Sequence, residues 1–176
     1  MRRRLTWLVL LSAAIVVAAL YLAGNALGTT ANGFVGTTLA KGRFGEIDAF
    51  NQSVQPNPGD QERANVWLSW QKTKGMSDVY VQNNVWQPGG STGWHSHPGH
   101  SLIIVTAGTV TDFESSDPDC KPTVYTQGMG FVDPGGDHVH MIRNDGPVEA
   151  HTIAVQVIPA GALRRIDADR PANCPF

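Results

Sequence analysis

The chain has 176 residues, room for one domain with its own core but not comfortably for two. Hydrophobic residues make up 41% and charged residues 16%, an ordinary composition for a folded protein. A net charge of −2 supplies no basic surface, which excludes nucleic acid as the expected partner.

In chain order, the first predicted element is an apolar helix. Arg2, Arg3 and Arg4 precede Leu5–Ala23, 19 residues without a charge. As a helix this run is roughly 28 Å long, close to the hydrocarbon thickness of a bilayer. Residues 1–26 therefore read as a signal peptide or as a transmembrane anchor. Small residues around Ala26 or Ala31 suit a peptidase, whereas the length suits an uncleaved anchor. Either way the arginines stay cytoplasmic, and the remainder is expected outside the cytoplasm, secreted or held to the membrane. Residues 27–40 are small and polar and read as a flexible spacer.

From residue 41 to 176 the pattern is all-β. Short runs rich in Val, Ile, Tyr, Trp and Thr predict strands near 43–50, 65–71, 77–87, 92–97, 101–113, 123–127, 129–133, 138–143 and 148–158. Turn signals separate them: NPGD, QPGG, SSDPDC, DPGGD and NDGP. At most one short helix is expected, near 59–65. Strands this short with turns this frequent indicate a single sandwich or barrel.

There are two cysteines, Cys120 and Cys174, set in DPDCKP and PANCPF. Neither belongs to a CxxC pair, so they make a poor metal site. In an oxidising compartment they predict one disulfide that ties the C-terminal tail to a loop, contributing about 4 kcal/mol in the chain-entropy model.

Histidines carry the strongest chemical signal. In GWHSHPGH, His95 and His97 are two apart and share one face of a strand that leads into the apolar SLIIVTAG. Imidazoles at the end of a core strand point inward, where unpaired nitrogens cost free energy, and a metal ion removes that cost. About 40 residues later GMGFVDPGGDHVHMIRN carries His138 and His140 behind a double-glycine turn, which would bring its strand opposite the first.

These two segments resemble the paired motifs of the cupins. In the first, Gly89, His95, His97 and Gly108 fit, with Ser101 where the family has glutamate. In the second, Gly128, Pro134 and Gly136 fit in register. His140 and Asn144 fit each other after one extra residue. The resemblance implies a double-stranded β-helix, a jelly-roll barrel whose mouth holds a divalent transition metal on His95, His97 and His140. Imidazole suits Fe, Zn, Mn, Ni and Cu alike, so the metal is left open. His100 is a further candidate ligand if Pro98 and Gly99 break the strand, and otherwise a rim residue. His138 is a candidate proton shuttle or hydrogen-bond donor behind the ligands, or a ligand in place of His140. Loss of the glutamate leaves the charge of a three-His site uncompensated. The resemblance to three-His thiol and diketone dioxygenases then implies oxidation of a small anionic substrate. A non-catalytic binder of a small molecule or sugar, and a metal-dependent isomerase or hydrolase, are the rival readings. A homodimer is implied by the resemblance alone. Trp86, Trp94, Tyr80 and Phe131 read as core or cavity lining. Glu114, Asp133 and Glu149 read as turn or solvent-face residues, and His151 as a strand-end surface residue. No GxSxG, nucleophilic cysteine or phosphate-binding glycine loop is present.

Overall fold

The computed structural model describes residues 29–55 and 65–176. The apolar helix expected over 1–26 lies outside these residues, as does nearly all of the short helix expected near 59–65. Twelve strands follow in order: β1 (Asn32–Phe44), β2 (Asp48–Gln55), β3 (Asn65–Lys72), β4 (Ser77–Ser91), β5 (His95–Ser96), β6 (Ser101–Ala107), β7 (Thr109–Glu114), β8 (Thr123–Thr126), β9 (Gly130–Asp133), β10 (His140–Arg143), β11 (Ala150–Pro159) and β12 (Ile166–Asp167). No helix occurs among the described residues.

Ten of the strands form one antiparallel sheet that curls into a barrel, while β2 and β3 pair only with each other. One wall runs β1-β4-β11-β6-β9, and the other runs β12-β5-β10-β7-β8. The long β4 links them, pairing with β1 and β11 along most of its length and with β10 at its end, where Ser91 faces Arg143. Alternation explains the inward faces. Along β6, Ser101, Ile103 and Val105 are buried while Leu102, Ile104 and Thr106 are exposed. Its neighbour β9 buries Phe131 and Asp133 in the same way.

The spacer expected over 27–40 requires correction. Residues 32–40 are the first part of β1, paired with β4 from Phe34 opposite Trp86 onward to Phe44 opposite Ser77. The segment is poor in large residues, but β4 offers it a free edge of backbone donors and acceptors. Phe34 adds a side-chain reason, its ring lying 4.9 Å from that of Trp86. The predicted run 101–113 is two strands, parted at Gly108 with φ +68°.

Two apolar clusters hold the walls together. The first joins Trp86, Ile103, Val105, Val110, Phe131, Ile142, Ala150 and Ala154. Tyr125 packs on it and stacks on Phe131 with centroids 4.4 Å apart. The second gathers Trp94, Phe113 and Met141 around Cys120 and Cys174, which are joined as a disulfide across 54 positions with Cα atoms 5.4 Å apart. That bond fastens the C-terminal tail beneath the β5–β10 end of the barrel, next to the histidine strands.

Candidate metal centre

His95 and His140 are direct cross-strand partners on β5 and β10, so their side chains leave the sheet on one face. His97 follows two residues after His95, just beyond the short β5. Ring centroids lie 4.6 Å apart for His95 and His140, 4.8 Å for His95 and His97, and 5.9 Å for His97 and His140. One nitrogen from each of the three falls within 4.8 Å of the others. His95 and His140 are buried and His97 is nearly so.

Hydrogen bonds choose the tautomers. His95 Nδ1 lies 2.9 Å from the Gly93 carbonyl, and His97 Nδ1 is bonded to the Arg164 carbonyl. A carbonyl only accepts, so His95 Nδ1 carries the proton and its Nε2 keeps its lone pair. His97 Nδ1 also lies 2.9 Å from the Gln156 amide nitrogen, but its closer contact is the Arg164 carbonyl, which selects the same tautomer. This arrangement orients imidazoles as metal ligands. His140 Nδ1 faces Asp112 Oδ1 at 3.5 Å, and its Nε2 is buried without a partner. Burial lowers the pKa of His95, helped by His140 and Arg165, and burial likewise lowers that of His97. Both rings therefore stay neutral and able to donate. For His140 burial pulls downward, but Asp112, Asp133 and Glu114 outweigh it and raise its pKa.

These residues fit a metal ion on their own evidence. The Nδ1 contacts with carbonyls leave Nε2 free on His95 and His97, and both His140 nitrogens are buried without a hydrogen-bond partner. One nitrogen from each ring converges with the others. Imidazole donors in this number suit a first-row transition metal.

The site opens on a cavity of about 280 Å³ between the two walls. Its lining includes the three histidines, Ser101, Asp133, Trp86, Gln156, Arg164 and Arg165. Gln156 Nε2 donates to the same Arg164 carbonyl at 3.2 Å, and Arg164 Nε donates to Gln156 Oε1 at 3.0 Å. Arg164 also lies over the Tyr80 ring, 4.3 Å from its centroid. Arg165 pairs through Nε with Asp167, 2.5 Å away, yet its Nη2 is buried with no partner.

The remaining candidates divide. His138 Nε2 meets Glu114 Oε2, and its Nδ1 lies 3.4 Å from Asp133 Oδ1. Glu114, His138 and His140 thus form a second ligating group that shares His140 with the first. Burial, reinforced by Asp112, lifts the Glu114 carboxyl to about 7. His100 belongs to neither group among the described residues. His151 pairs with Glu149 at 2.7 Å on the outside of the barrel. Asp133 and Glu114 correct the turn or solvent-face reading. Asp133 is 1% exposed because β9 parity turns it inward, and Glu114 lies against His138. Glu149 fits its solvent-face reading. Trp86 and Trp94 are core residues at 2% and 1% exposure, and Trp86 lines the cavity as well. Gln156, Arg164 and Arg165 were not legible as site residues. The only signal was the Arg-Arg pair in a stretch that reads as a polar tail.

Residues 85–156 match the cupin domain family model. No curated protein matches the chain. A cupin-like protein from Thermotoga maritima is 26% identical with a TM-score of 0.44, over 52% of this chain and 65% of that one. A conserved protein with a double-stranded β-helix domain from Klebsiella pneumoniae is 23% identical with a TM-score of 0.41, over 53% of this chain and 76% of that one. A recombinant oxalate oxidase in complex with glycolate is 28% identical with a TM-score of 0.39, over 44% of this chain and 41% of that one. The matched segment runs from the end of β4 through most of β11 and contains all three converging histidines, so this chain carries a cupin domain.

Proposed function

We propose that the protein is an exported, metal-dependent cupin that acts on a small anionic substrate, with dioxygenase-like oxidation as the reaction class. The observation that carries this reading is the convergence of three imidazoles on one wall of a cavity that also holds an arginine with an unpartnered, buried Nη2. A divalent ion on His95, His97 and His140 would supply Lewis acidity or a redox centre. The protein's own contribution is selection and placement. At about 280 Å³ the cavity lies below the range of drug-sized pockets, roughly 300–1,000 Å³, and admits a molecule of few heavy atoms. Arg165 offers that molecule a charge-assisted hydrogen bond, which favours a carboxylate or another planar oxyanion. Trp86, Ile103 and Ile142 supply the apolar part of the lining and keep water from crowding the anion. The Glu114–His138 pair stands beside His140, placed to hold a proton at His138 Nε2 or Glu114 Oε2. The N-terminal apolar run supports export, and the Cys120–Cys174 bond suits an oxidising compartment.

The test uses the full-length chain loaded in turn with iron, manganese and zinc. Oxygen uptake is followed with small carboxylates, thiols, diketones and phenols. Uptake with an anionic substrate is expected, and Arg165→Gln should lower kcat/KM at least tenfold while metal content stays unchanged. Stoichiometric metal without uptake under any loading would contradict the oxidative reading and favour a binder or hydrolase.

A further inference from the structure

Position 101 holds serine where cupins place a glutamate ligand, and the structure shows a carboxylate beside it. Ser101 on β6 and Asp133 on β9 are direct cross-strand partners. Both are buried and both line the histidine cavity. Cross-strand partners on one face have Cβ atoms roughly 4.5–5.5 Å apart, so the acid has moved one strand sideways within the same wall.

The two oxygens of Asp133 have different surroundings. Oδ1 accepts the Gly135 N–H at 2.9 Å, as in an Asx turn, which fixes the carboxylate plane. Oδ2 is buried without a hydrogen-bond partner and lies 3.7 Å from His97 Nε2. That nitrogen is the one left with a lone pair by the Arg164 carbonyl. Two acceptors therefore face each other at the cavity wall, an unfavourable pairing unless a cation or a proton lies between them.

The backbone holds this geometry from a second direction. Gly136 N–H donates to the His97 carbonyl at 2.7 Å, docking the DPGGD turn onto the histidine loop. Gly135 sits so close that a Cβ there would fall 2.3 Å from the Gly99 carbonyl oxygen. The turn carrying Asp133 and the loop carrying His97 are thus packed backbone against backbone.

We propose that Asp133 is the fourth protein ligand of the metal centre, giving a three-His, one-Asp site in which Oδ2 takes the place of the carboxylate absent at Ser101. The inference rests on the three-His reading and adds to it. With Asp133 bound, the ion and its ligands carry one positive charge rather than two, and attraction of an anionic substrate passes to Arg165. His138 Nδ1, near Asp133 Oδ1, then serves to position the acid rather than to bind the ion.

The test compares full-length wild type, Asp133→Asn, His97→Ala and the double variant Ser101→Glu with Asp133→Asn. Asparagine keeps the Oδ1 acceptor for Gly135 and replaces the anionic oxygen with an amide nitrogen of the same size that cannot ligate the ion, so the turn is preserved. Zinc affinity is measured by competition with a chromophoric chelator, and the coordination sphere by the visible spectrum of the cobalt-loaded protein. Asp133→Asn is expected to weaken zinc at least tenfold and to change the cobalt d–d bands. His97→Ala should abolish binding, and the double variant should recover affinity to within about threefold of wild type. Wild-type affinity and an unchanged cobalt spectrum in Asp133→Asn, with binding still lost in His97→Ala, would overturn the assignment of Asp133 alone. Wild-type zinc binding in His97→Ala would instead overturn the three-His centre on which it rests.

Discussion

Asp78 shows how this barrel keeps a charge in its interior when counter-charges are supplied by side chains. Its carboxylate is fully buried and receives Arg43 through two bonds, at 2.7 and 2.9 Å, with Lys41 at 3.2 Å and the Gly161 N–H at 3.0 Å. Arg43 holds the acid far below its ordinary value of 3.8, with the Gly161 bond and Lys41 adding to the effect. A depressed folded-state pKa stabilises the fold at pH values above the unfolded value and loses that contribution as the pH falls beneath it. Wild type should therefore lose thermal stability as the pH drops from about 5 toward 2. Asp78→Asn should melt lower at neutral pH and show a shallower slope across that window. Equal slopes in thermal melts of the two proteins would contradict the assignment. Asp133 is equally buried but has no such partners on Oδ2. Asp112 Oδ1 and Glu114 Oε2 share that lack, and what sets Asp133 apart is that it lines the cavity and faces His97 Nε2. At this scale the histidines were legible in the sequence because imidazole is rare and their spacing is periodic. Asp133 was not, since an Asp before Pro-Gly-Gly looks like turn chemistry until the parity of β9 is known. Arg165 was hidden for a related reason, lying eight residues beyond Val157 in a stretch with no pattern at all.

Among elements, the DPGGD turn does the most to place the site. Gly135 and Gly136 both have positive φ, at +69° and +68°, but their surroundings differ. A Cβ at Gly136 would meet nothing within 4 Å, whereas one at Gly135 would collide with Gly99. Gly136→Ala should cost about 1 kcal/mol, the strain of the left-handed backbone alone. Gly135→Ala should cost about 2–3 kcal/mol by chemical denaturation and weaken metal binding too, because separating the turn from the loop moves Asp133 away from His97. Equal costs would show that the turn does not pack on the loop. Most strands were legible, since alternation of the kind seen in β6 follows from one face being buried and one wet. The start of β1 was not. Its Gly, Thr and Ala residues carry little strand preference, and what holds them is the edge of β4, which a local reading does not see. The two-residue β12 was missed similarly, being fixed by its pairing with β5.

For the whole molecule, the barrel is a device for bringing distant segments together. The cavity draws on β1, β4, β5, β6, β9, β10, β11 and the loop before β12, so residues from Phe34 to Arg165 share one lining. The resemblance to cupins made the barrel and its histidines readable, because two motifs in order specify two facing segments. The rest of the cavity depended on closure of the barrel and could not be read from neighbours in the chain. The disulfide and the Trp94 cluster brace the same end of the molecule from below. The central claim concerns what that end holds, and elemental analysis of the purified full-length chain tests it most directly, comparing wild type with His95→Ala, His97→Ala and His140→Ala. Near-stoichiometric transition metal in wild type and loss of most of it in each variant, with the barrel still folded by circular dichroism, is the predicted result. Metal content indifferent to all three substitutions would contradict it.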